Sequence, residues 1–221
     1  YLERRRSHGL RNASVLLVDR RSLEVKALLG SADFFDASLP GQVDGTLARR
    51  SPGSTLKPFI YGLALDHGLM HPQTMLKDAP SSFGPYHPEN FDGDFLGPIK
   101  AKDALIRSRN IPAVQLASQL AAPSLYDFLK DAGVALPQAE EHYGLGLALG
   151  AAEVSMRELV ELYAMLGNGG VLRPLRLYKE QAGGTGKRLL SREASFIVLD
   201  MLKDNPRPAQ GFREEWTLVK T

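Results

Sequence analysis

The arrangement in this 221-residue sequence best suited to covalent chemistry is a serine followed three positions later by a lysine, Ser54 and Lys57. A serine hydroxyl is a poor nucleophile until a neighbouring base takes its proton. On a helix, a spacing of three places both side chains on one face, and burial of the lysine would disfavour its charged form and make it a usable base. Taken alone the pattern is weak, because common residue frequencies give roughly one chance match in a chain this long. A helix start with a surface lysine is the plainer interpretation.

Two further pairs of polar residues would complete a site of this kind. Ser108 and Asn110 precede Pro112, and because proline disfavours helix just before it, we expect the pair on a loop between two helices, lining a cleft. Lys220 and Thr221 end the chain on a predicted strand. A lysine and a hydroxyl at a strand edge suit the binding of a substrate carboxylate through charge-assisted hydrogen bonds. For the first pair, a helix-capping serine and a loop asparagine remain the plainer interpretation.

The element that must position Ser54 and Lys57 is a helix that begins beside them. Its apolar positions recur at intervals of three and four, the helical period, at Leu56, Phe59, Ile60, Leu63 and Ala64. Pro58 falls in the first turn, where a missing N–H is tolerated, and Gly68 is a natural end. Since the segment is apolar on nearly all sides, we expect this helix in the centre of the fold.

The rest of the chain predicts a mixed α+β fold with a helix-rich middle. The predicted strands form a hairpin at 14–19 and 23–29, a hairpin-type excursion over 171–179 and 188–190, and a last strand at 216–221. Further helices are predicted at about 100–108, 111–121, 123–132, 151–168 and 191–203. Ser191 is the expected N-cap of the last helix. Glycines, prolines and polar residues predict irregular chain at 33–52 and 71–98.

Composition excludes several classes of protein. With 43% hydrophobic and 24% charged residues, the chain is neither disordered nor fibrous. No run approaches the ~18 apolar residues of a membrane span, and the absence of cysteine excludes a disulfide scaffold. The net charge of +2 does not indicate a nucleic-acid partner.

The three motifs gain weight from their order. Ser-x-x-Lys, Ser-x-Asn and an incomplete Lys-Thr-(Gly) follow one another at intervals of 54 and 112 residues, an order that resembles the penicillin-binding protein and serine β-lactamase superfamily. The segments that resemble class A penicillin-binding proteins are 50–58, 104–114, 147–155 and 163–170. Two more, 41–45 and 86–93, are similar to the 1C branch of that class.

The resemblance implies a DD-transpeptidase that cross-links peptidoglycan through an acyl-enzyme on Ser54. By the family pattern, Lys57 is the base and Ser108 relays the proton to the leaving amine. Asn110 would hydrogen-bond the backbone of the stem peptide. Lys220 and Thr221 would hold its terminal carboxylate. One oxyanion donor is expected from the backbone N–H of Ser54, the other from a residue beyond the Lys-Thr pair.

The family pattern also implies a setting for the domain. The fold would be a central antiparallel sheet flanked by helices, with residues 13–221 as a transpeptidase domain that stops within Lys-Thr-Gly. Residues 1–12 would link it to a missing glycosyltransferase domain and membrane anchor, on the periplasmic face of the bacterial inner membrane. Its partners would be peptidoglycan stem peptides, β-lactams and other cell-wall synthesis proteins, with no nucleic acid, and neither cofactor nor metal would be needed.

Three other activities use related sequences. A serine β-lactamase needs a carboxylate to activate the deacylating water, usually in a Glu-x-x-Leu-Asn pattern, and no segment here has it. A DD-carboxypeptidase forms the same acyl-enzyme with water as acceptor, and a β-lactam sensor or non-catalytic scaffold of the wall-synthesis complex is the alternative outside catalysis. Both remain open at the level of sequence.

One residue departs from the family pattern. Arg109 occupies the middle of the second motif, where the 1C branch more often carries leucine. An arginine beside the cleft would either add positive charge for an anionic stem peptide or point to water, and we expect the side chain of Arg109 in water.

Overall fold

A computed structural model describes residues 9–178, 180–181 and 183–205, and within these ranges the predicted mixed α+β class with antiparallel strands is confirmed. The strands are β1 (Val15–Val18), β2 (Val25–Leu29), β3 (Met75–Asp78), β4 (Gly97–Lys100), β5 (Val171–Leu172) and β6 (Lys187–Arg188). The helices are α1 (Lys57–Asp66), α2 (Ala101–Ile106), α3 (Asn110–Gln119), α4 (Leu125–Asp131), α5 (Glu140–Tyr143), α6 (Met156–Gly167) and α7 (Arg192–Lys203). Two 3₁₀ turns, Gly53–Leu56 and Gly144–Leu149, complete the described elements.

The described strands pair two by two in antiparallel sheets, β1 with β2, β3 with β4, and β5 with β6. The predicted hairpin is confirmed, with Val15 opposite Leu29 and Leu16 opposite Leu28. The β3–β4 pair was not predicted. Its strands are four residues each, and Pro98, which cannot donate to the ladder, faces Lys77. The prolines of segment 71–98 led to the prediction of irregular chain there, because proline is rare inside strands.

Helix α1 lies in the centre of the fold, as its apolar sequence predicts. Eight consecutive residues, Lys57 to Ala64, are buried. Phe59 stacks on Phe128 of α4, with ring centroids 5.7 Å apart, and meets Tyr163 of α6 edge-on at 5.3 Å. The helix packs against α3 on one side and α7 on another, so its position is fixed by the main hydrophobic core.

The predicted helices beyond α1 are all present in the predicted order, with one boundary corrected, and the short helix α5 was not predicted. Helix α6 begins at Met156, not near residue 151, because Ser155 and Glu158 form a capping box in which each side chain accepts from the other residue's backbone N–H. Ser191 caps α7 as predicted, accepting from the N–H of Ala194 at 2.9 Å. The strand expected at 216–221 lies outside the described residues.

Within the described ranges, no helix combines the length and the apolar character that crossing a bilayer requires.

Candidate active site

Ser54 lies in the 3₁₀ turn Gly53–Leu56 that leads into α1. Its side chain is exposed, whereas Leu56 and Lys57 directly after it are buried. The turn begins at Gly53, whose φ of +53° is a backbone conformation that suits glycine. The chain therefore presents the serine hydroxyl to solvent at the end of a helix that is anchored in the core.

Contacts from three parts of the chain hold this turn in place. The Ser51 hydroxyl donates to the carbonyl of Gly150 at 2.7 Å, and the Tyr163 hydroxyl of α6 donates to the carbonyl of Thr55 at 2.9 Å. Arg50 exchanges two backbone hydrogen bonds with Val154. Because these contacts precede and follow Ser54, they fix the backbone from which its hydroxyl projects.

Gly150 makes the closest approach to this turn. Its φ is +94°, and a Cβ there would stand 2.4 Å from the backbone nitrogen of Gly53, so a side chain must push the turn aside. We expect Gly150→Ala to destabilise the protein by about 1–3 kcal/mol from the backbone conformation alone and to slow the chemistry of Ser54. Thermal unfolding and the rate of covalent labelling of Ser54 by benzylpenicillin measure the two effects.

Gly146 provides the matched control in the same segment. A Cβ at Gly146 would meet only the Cβ of Ala151, at an ordinary 3.4 Å. Gly146→Ala should leave stability and labelling close to wild type. Equal behaviour of the two variants would contradict the close-approach argument.

Lys57 projects from the first turn of α1 into the second motif, and its side chain is 1% exposed. Its ammonium donates to the carbonyl of Ser108 at 2.5 Å, to the hydroxyl of Ser108 at 3.1 Å and to Oδ1 of Asn110 at 2.6 Å. Three donors thus meet three acceptors. The structure brings Lys57, Ser108 and Asn110 together as the sequence predicts.

The backbone of Ser108 makes this arrangement possible. Ser108 has φ +55°, a left-handed conformation that is uncommon outside glycine and costs on the order of 1–3 kcal/mol. It lies in the connection between α2 and α3, as predicted. Asn110, expected on the same loop, is instead the first residue of α3, because Pro112 falls in the first turn, where its missing N–H is tolerated. In its left-handed conformation the carbonyl and the hydroxyl of Ser108 both face Lys57.

The surroundings of Lys57 lower its proton affinity. Desolvation by burial, with the positive charge of Arg109 as a second cause, lowers the pKa of Lys57 from 10.5 to about 8. At pH 7, roughly one molecule in ten then carries the neutral amine. A buried lysine in this state is suited to accept a proton, which is the chemistry predicted for it.

Ser54, Ser108 and Asn110 line one cleft, with a volume of about 400 Å³. Among the described residues the Ser54 hydroxyl has no hydrogen-bond partner, so the expected pair of Ser54 and Lys57 is not hydrogen-bonded here. Catalytic hydrogen bonds are often long in free enzymes and tighten when substrate binds. The Asn110 amide donates one hydrogen to the carbonyl of Glu89 at 2.7 Å, which leaves its second hydrogen for a ligand.

The expectation that the Arg109 side chain points to water is wrong. Arg109 is 6% exposed, and its guanidinium forms ion pairs with Asp78 and Asp92, both at 2.7 Å. Asp78 is itself fully buried. The reason is electrostatic: a carboxylate that the fold buries needs a cation beside it, and Arg109 is that cation.

The sequence analysis missed the acidic and amide residues around Arg109. Asp78, Asn90 and Asp92 carried no predicted role, although the run 90–94 holds four polar or glycine residues around one phenylalanine. No local periodicity marks such residues. The one available signal was Arg109 itself. An arginine between Ser108 and Asn110 would be buried if the motif is buried, and a buried arginine needs acidic partners from elsewhere in the chain.

Lys220 and Thr221 lie outside the described residues, so their placement stays a prediction. In the part of the chain that is described, no group of three or more His, Asp or Glu side chains is arranged to hold a metal ion.

Comparison with known proteins identifies similar chains. The family model described as "Penicillin binding protein transpeptidase domain" matches residues 13–216. Penicillin-binding protein 1C of Escherichia coli (strain K12) is 36% identical over 197 residues, which cover 88% of this chain and 25% of that protein.

Two further relatives carry related names. Penicillin-binding protein 1A of Clostridium acetobutylicum is 30% identical over 213 residues, 86% of this chain and 26% of the relative. Penicillin-binding protein 1F of Bacillus subtilis (strain 168) is 30% identical over 203 residues, 86% of this chain and 27% of the relative. The chain thus spans about a quarter of the length of these curated relatives.

Proposed function

Because the chain belongs to the penicillin-binding protein transpeptidase domain family, we propose that it is a DD-transpeptidase that cross-links peptidoglycan through an acyl-enzyme on Ser54. The observation that supports this most is the buried Lys57, which binds Ser108 and Asn110 beside the exposed Ser54. A base with a lowered pKa next to an accessible hydroxyl is the arrangement that nucleophilic catalysis needs.

In the first step the Ser54 Oγ attacks the carbonyl carbon of the penultimate D-alanine of a stem peptide. Neutral Lys57 takes the hydroxyl proton, Ser108 donates its own proton to the nitrogen of the terminal D-alanine, and Lys57 returns the first proton to Ser108, so that both residues end as they began. The C–N bond breaks, D-alanine leaves, and an ester joins the peptide to Ser54. The backbone N–H of Ser54 is the proposed oxyanion donor.

In the second step the amine of another stem peptide attacks that ester. A new amide bond forms, the C–O bond to Ser54 breaks, and the proton lost by the amine returns to the serine oxygen. Asn110 would hold the peptide backbone through its second amide hydrogen. Lys220 and Thr221 are proposed to bind the terminal carboxylate. A β-lactam would enter the first step and leave Ser54 acylated.

The proposed reaction draws on no metal or cofactor. We place the domain on the periplasmic face of the bacterial inner membrane, in a longer protein that also has a peptidoglycan glycosyltransferase domain and an N-terminal membrane anchor. Peptidoglycan stem peptides, β-lactams and other cell-wall synthesis proteins are its proposed partners. Residues 13–221 would form the transpeptidase domain and residues 1–12 its upstream link.

The test uses the full-length protein with two synthetic peptides. The donor ends in D-Ala-D-Ala, the acceptor supplies a free amine, and a donor that ends in L-Ala-L-Ala is the control. We expect release of D-alanine together with the cross-linked product, and no release from the control peptide. Chromatography with mass detection measures both products.

The other outcomes would each overturn the proposal in a defined way. Release of D-alanine with only the shortened donor would indicate a DD-carboxypeptidase. A protein that is acylated by penicillin but releases no D-alanine would be a β-lactam sensor, and one that does neither would be a scaffold.

A further inference from the structure

The buried guanidinium of Arg109 donates hydrogen bonds to three acceptors. Its Nε donates to Asp78 and one Nη to Asp92, each at 2.7 Å, and its other Nη donates to the backbone carbonyl of Asp94. The planar guanidinium is thereby filled from three sides. Three acceptors from two parts of the chain fix its position.

These partners belong to the connection between β3 and β4. Asp78 is the last residue of β3, and the segment 89–94 follows before β4. Asn90, which is 5% exposed, donates to Asp78 at 2.7 Å and to the carbonyl of Asp94 at 2.9 Å. Arg109, Asp78, Asn90 and Asp92 together form what we call the Arg109 clamp, which fastens the segment 89–94 to the second motif.

The clamp continues into the proposed active site through Asn110. Oδ1 of Asn90 accepts from the backbone N–H of Asn110 at 2.8 Å, and the carbonyl of Glu89 accepts from its side-chain amide at 2.7 Å. The second contact determines which end of the amide faces Lys57. With the amide nitrogen on Glu89, the amide oxygen is left for the ammonium, at 2.6 Å.

We propose that Arg109 is a positioning residue for acylation of Ser54: by holding the segment 89–94, it fixes the orientation of Asn110 and, through Asn110, the position of the Lys57 amine. Arg109 also lines the cleft, but in the proposed role it acts through Asn110 and not on the reacting atoms. If the clamp opened, the Asn110 amide would be free to turn its hydrogens towards Lys57, and the amine would lose one of its three acceptors. The inference rests on the proposed acyl transfer at Ser54.

The positive charge of Arg109, like its hydrogen bonds, favours Lys57 as a base. It is the second cause, after burial, of the lowered pKa of Lys57. The charged groups that face Arg109 are Asp78 and Asp92. Burial, with the charge of Asp78 as a second cause, raises the pKa of the Tyr61 hydroxyl in α1. Removal of the positive charge at 109 would therefore raise the pKa of Lys57.

Two substitutions in the full-length protein separate geometry from charge. Arg109→Lys keeps the charge, and with it a partner for buried Asp78, but a single ammonium cannot span the three acceptors in the plane of a guanidinium. Arg109→Gln removes both. Arg157→Lys is the matched control, since Arg157 forms an ion pair with Asp44 at 2.8 Å and bonds Thr46 outside the cleft.

The measurement is the rate of acylation by benzylpenicillin from pH 6 to 10, with thermal unfolding of each variant. We expect Arg109→Lys to remain folded and to lose about 10²-fold in rate, the scale of a displaced catalytic group, with the wild-type pH midpoint. Arg109→Gln should show a similar loss and a midpoint at higher pH. Arg157→Lys should keep the wild-type rate and midpoint.

A folded Arg109→Lys variant that acylates within about threefold of wild type would overturn the proposal. Replacing an arginine with a purely structural role changes the stability of the protein but not its acylation rate. If Arg109→Gln does not fold, the rate of Arg109→Lys still decides. Failure of the proposed function has a different signature: wild-type protein itself would then show no acylation of Ser54 at any pH.

Discussion

Ser54→Ala is expected to abolish covalent labelling by benzylpenicillin, with a loss on the order of 10⁶-fold, the scale seen when a serine nucleophile is removed. Alanine supplies no oxygen to form the ester. Because Ser54 is exposed and its hydroxyl makes no hydrogen bond among the described residues, the substitution should leave the fold intact. Labelling with a fluorescent penicillin, followed over time in wild type and variant, measures the rate.

Ser118→Ala serves as the control for this loss. Ser118 lies near the end of α3, exposed, and donates only to the carbonyl of Gln115 one turn away. Its replacement makes the same change of side chain away from the cleft, so the labelling rate should stay at the wild-type value. A Ser54→Ala variant that labels as fast as Ser118→Ala would show that another residue is the nucleophile.

Lys57→Met is expected to lower the rate of acylation by about 10²–10⁴-fold, the usual contribution of a general base. Methionine fills much of the same buried space but cannot accept a proton. The Lys57 side chain is 1% exposed, and methionine replaces its aliphatic part but leaves the acceptors on Ser108 and Asn110 without their donor. The acylation rate against pH measures loss of the base, and thermal unfolding shows whether the variant keeps its fold.

The pH profile of wild type follows from the same residue. With the pKa of Lys57 lowered to about 8, the neutral amine accumulates as pH rises, and the rate should climb through about pH 8 and level off above it. Lys57→Met should have lost this rise. A wild-type rate that falls between pH 7 and 9 would contradict the assignment of Lys57 as the base.

The stability of the folded protein should change in the same pH range. The unfolded chain keeps the ordinary lysine pKa of 10.5, so between about pH 8 and 10.5 it binds more protons at Lys57 than the folded chain does. This contribution to the free energy of unfolding therefore rises with pH across that window. Lys102→Met removes a lysine of α2 that forms an ion pair with Asp204. This variant is the control for the pH dependence of both the acylation rate and the free energy of unfolding.

The parts of the fold that sequence predicts well are those with a local signal. Helix α1 has an apolar period, a proline in its first turn and a glycine after its end, so its place and its burial could be read directly. The spacing of three between Ser54 and Lys57 is also local, but taken alone it favours a surface lysine, and the order of the three motifs was needed to predict a site there. Asn110 was placed beside them only by the order of the motifs and a family resemblance.

The parts that sequence missed depend on contacts between distant residues. Arg109 meets Asp78 across 31 positions and Asp92 across 17, and nothing near Arg109 in the sequence says that it will pair with a buried carboxylate, Asp78, and an exposed one, Asp92. The start of α6 was misplaced for the opposite reason. Its capping box of Ser155 and Glu158 is a local signal, but apolar periodicity extended the predicted helix past it.

The most direct test of the account locates the acyl group on the chain. Wild-type full-length protein is incubated with benzylpenicillin and digested with trypsin, which cleaves after Arg50 and leaves Ser51, Ser54 and Thr55 on one peptide. Fragment ions that separate these three hydroxyls then assign the adduct. The account predicts one stoichiometric adduct on Ser54; an adduct on either neighbour, or none on folded protein, would contradict it.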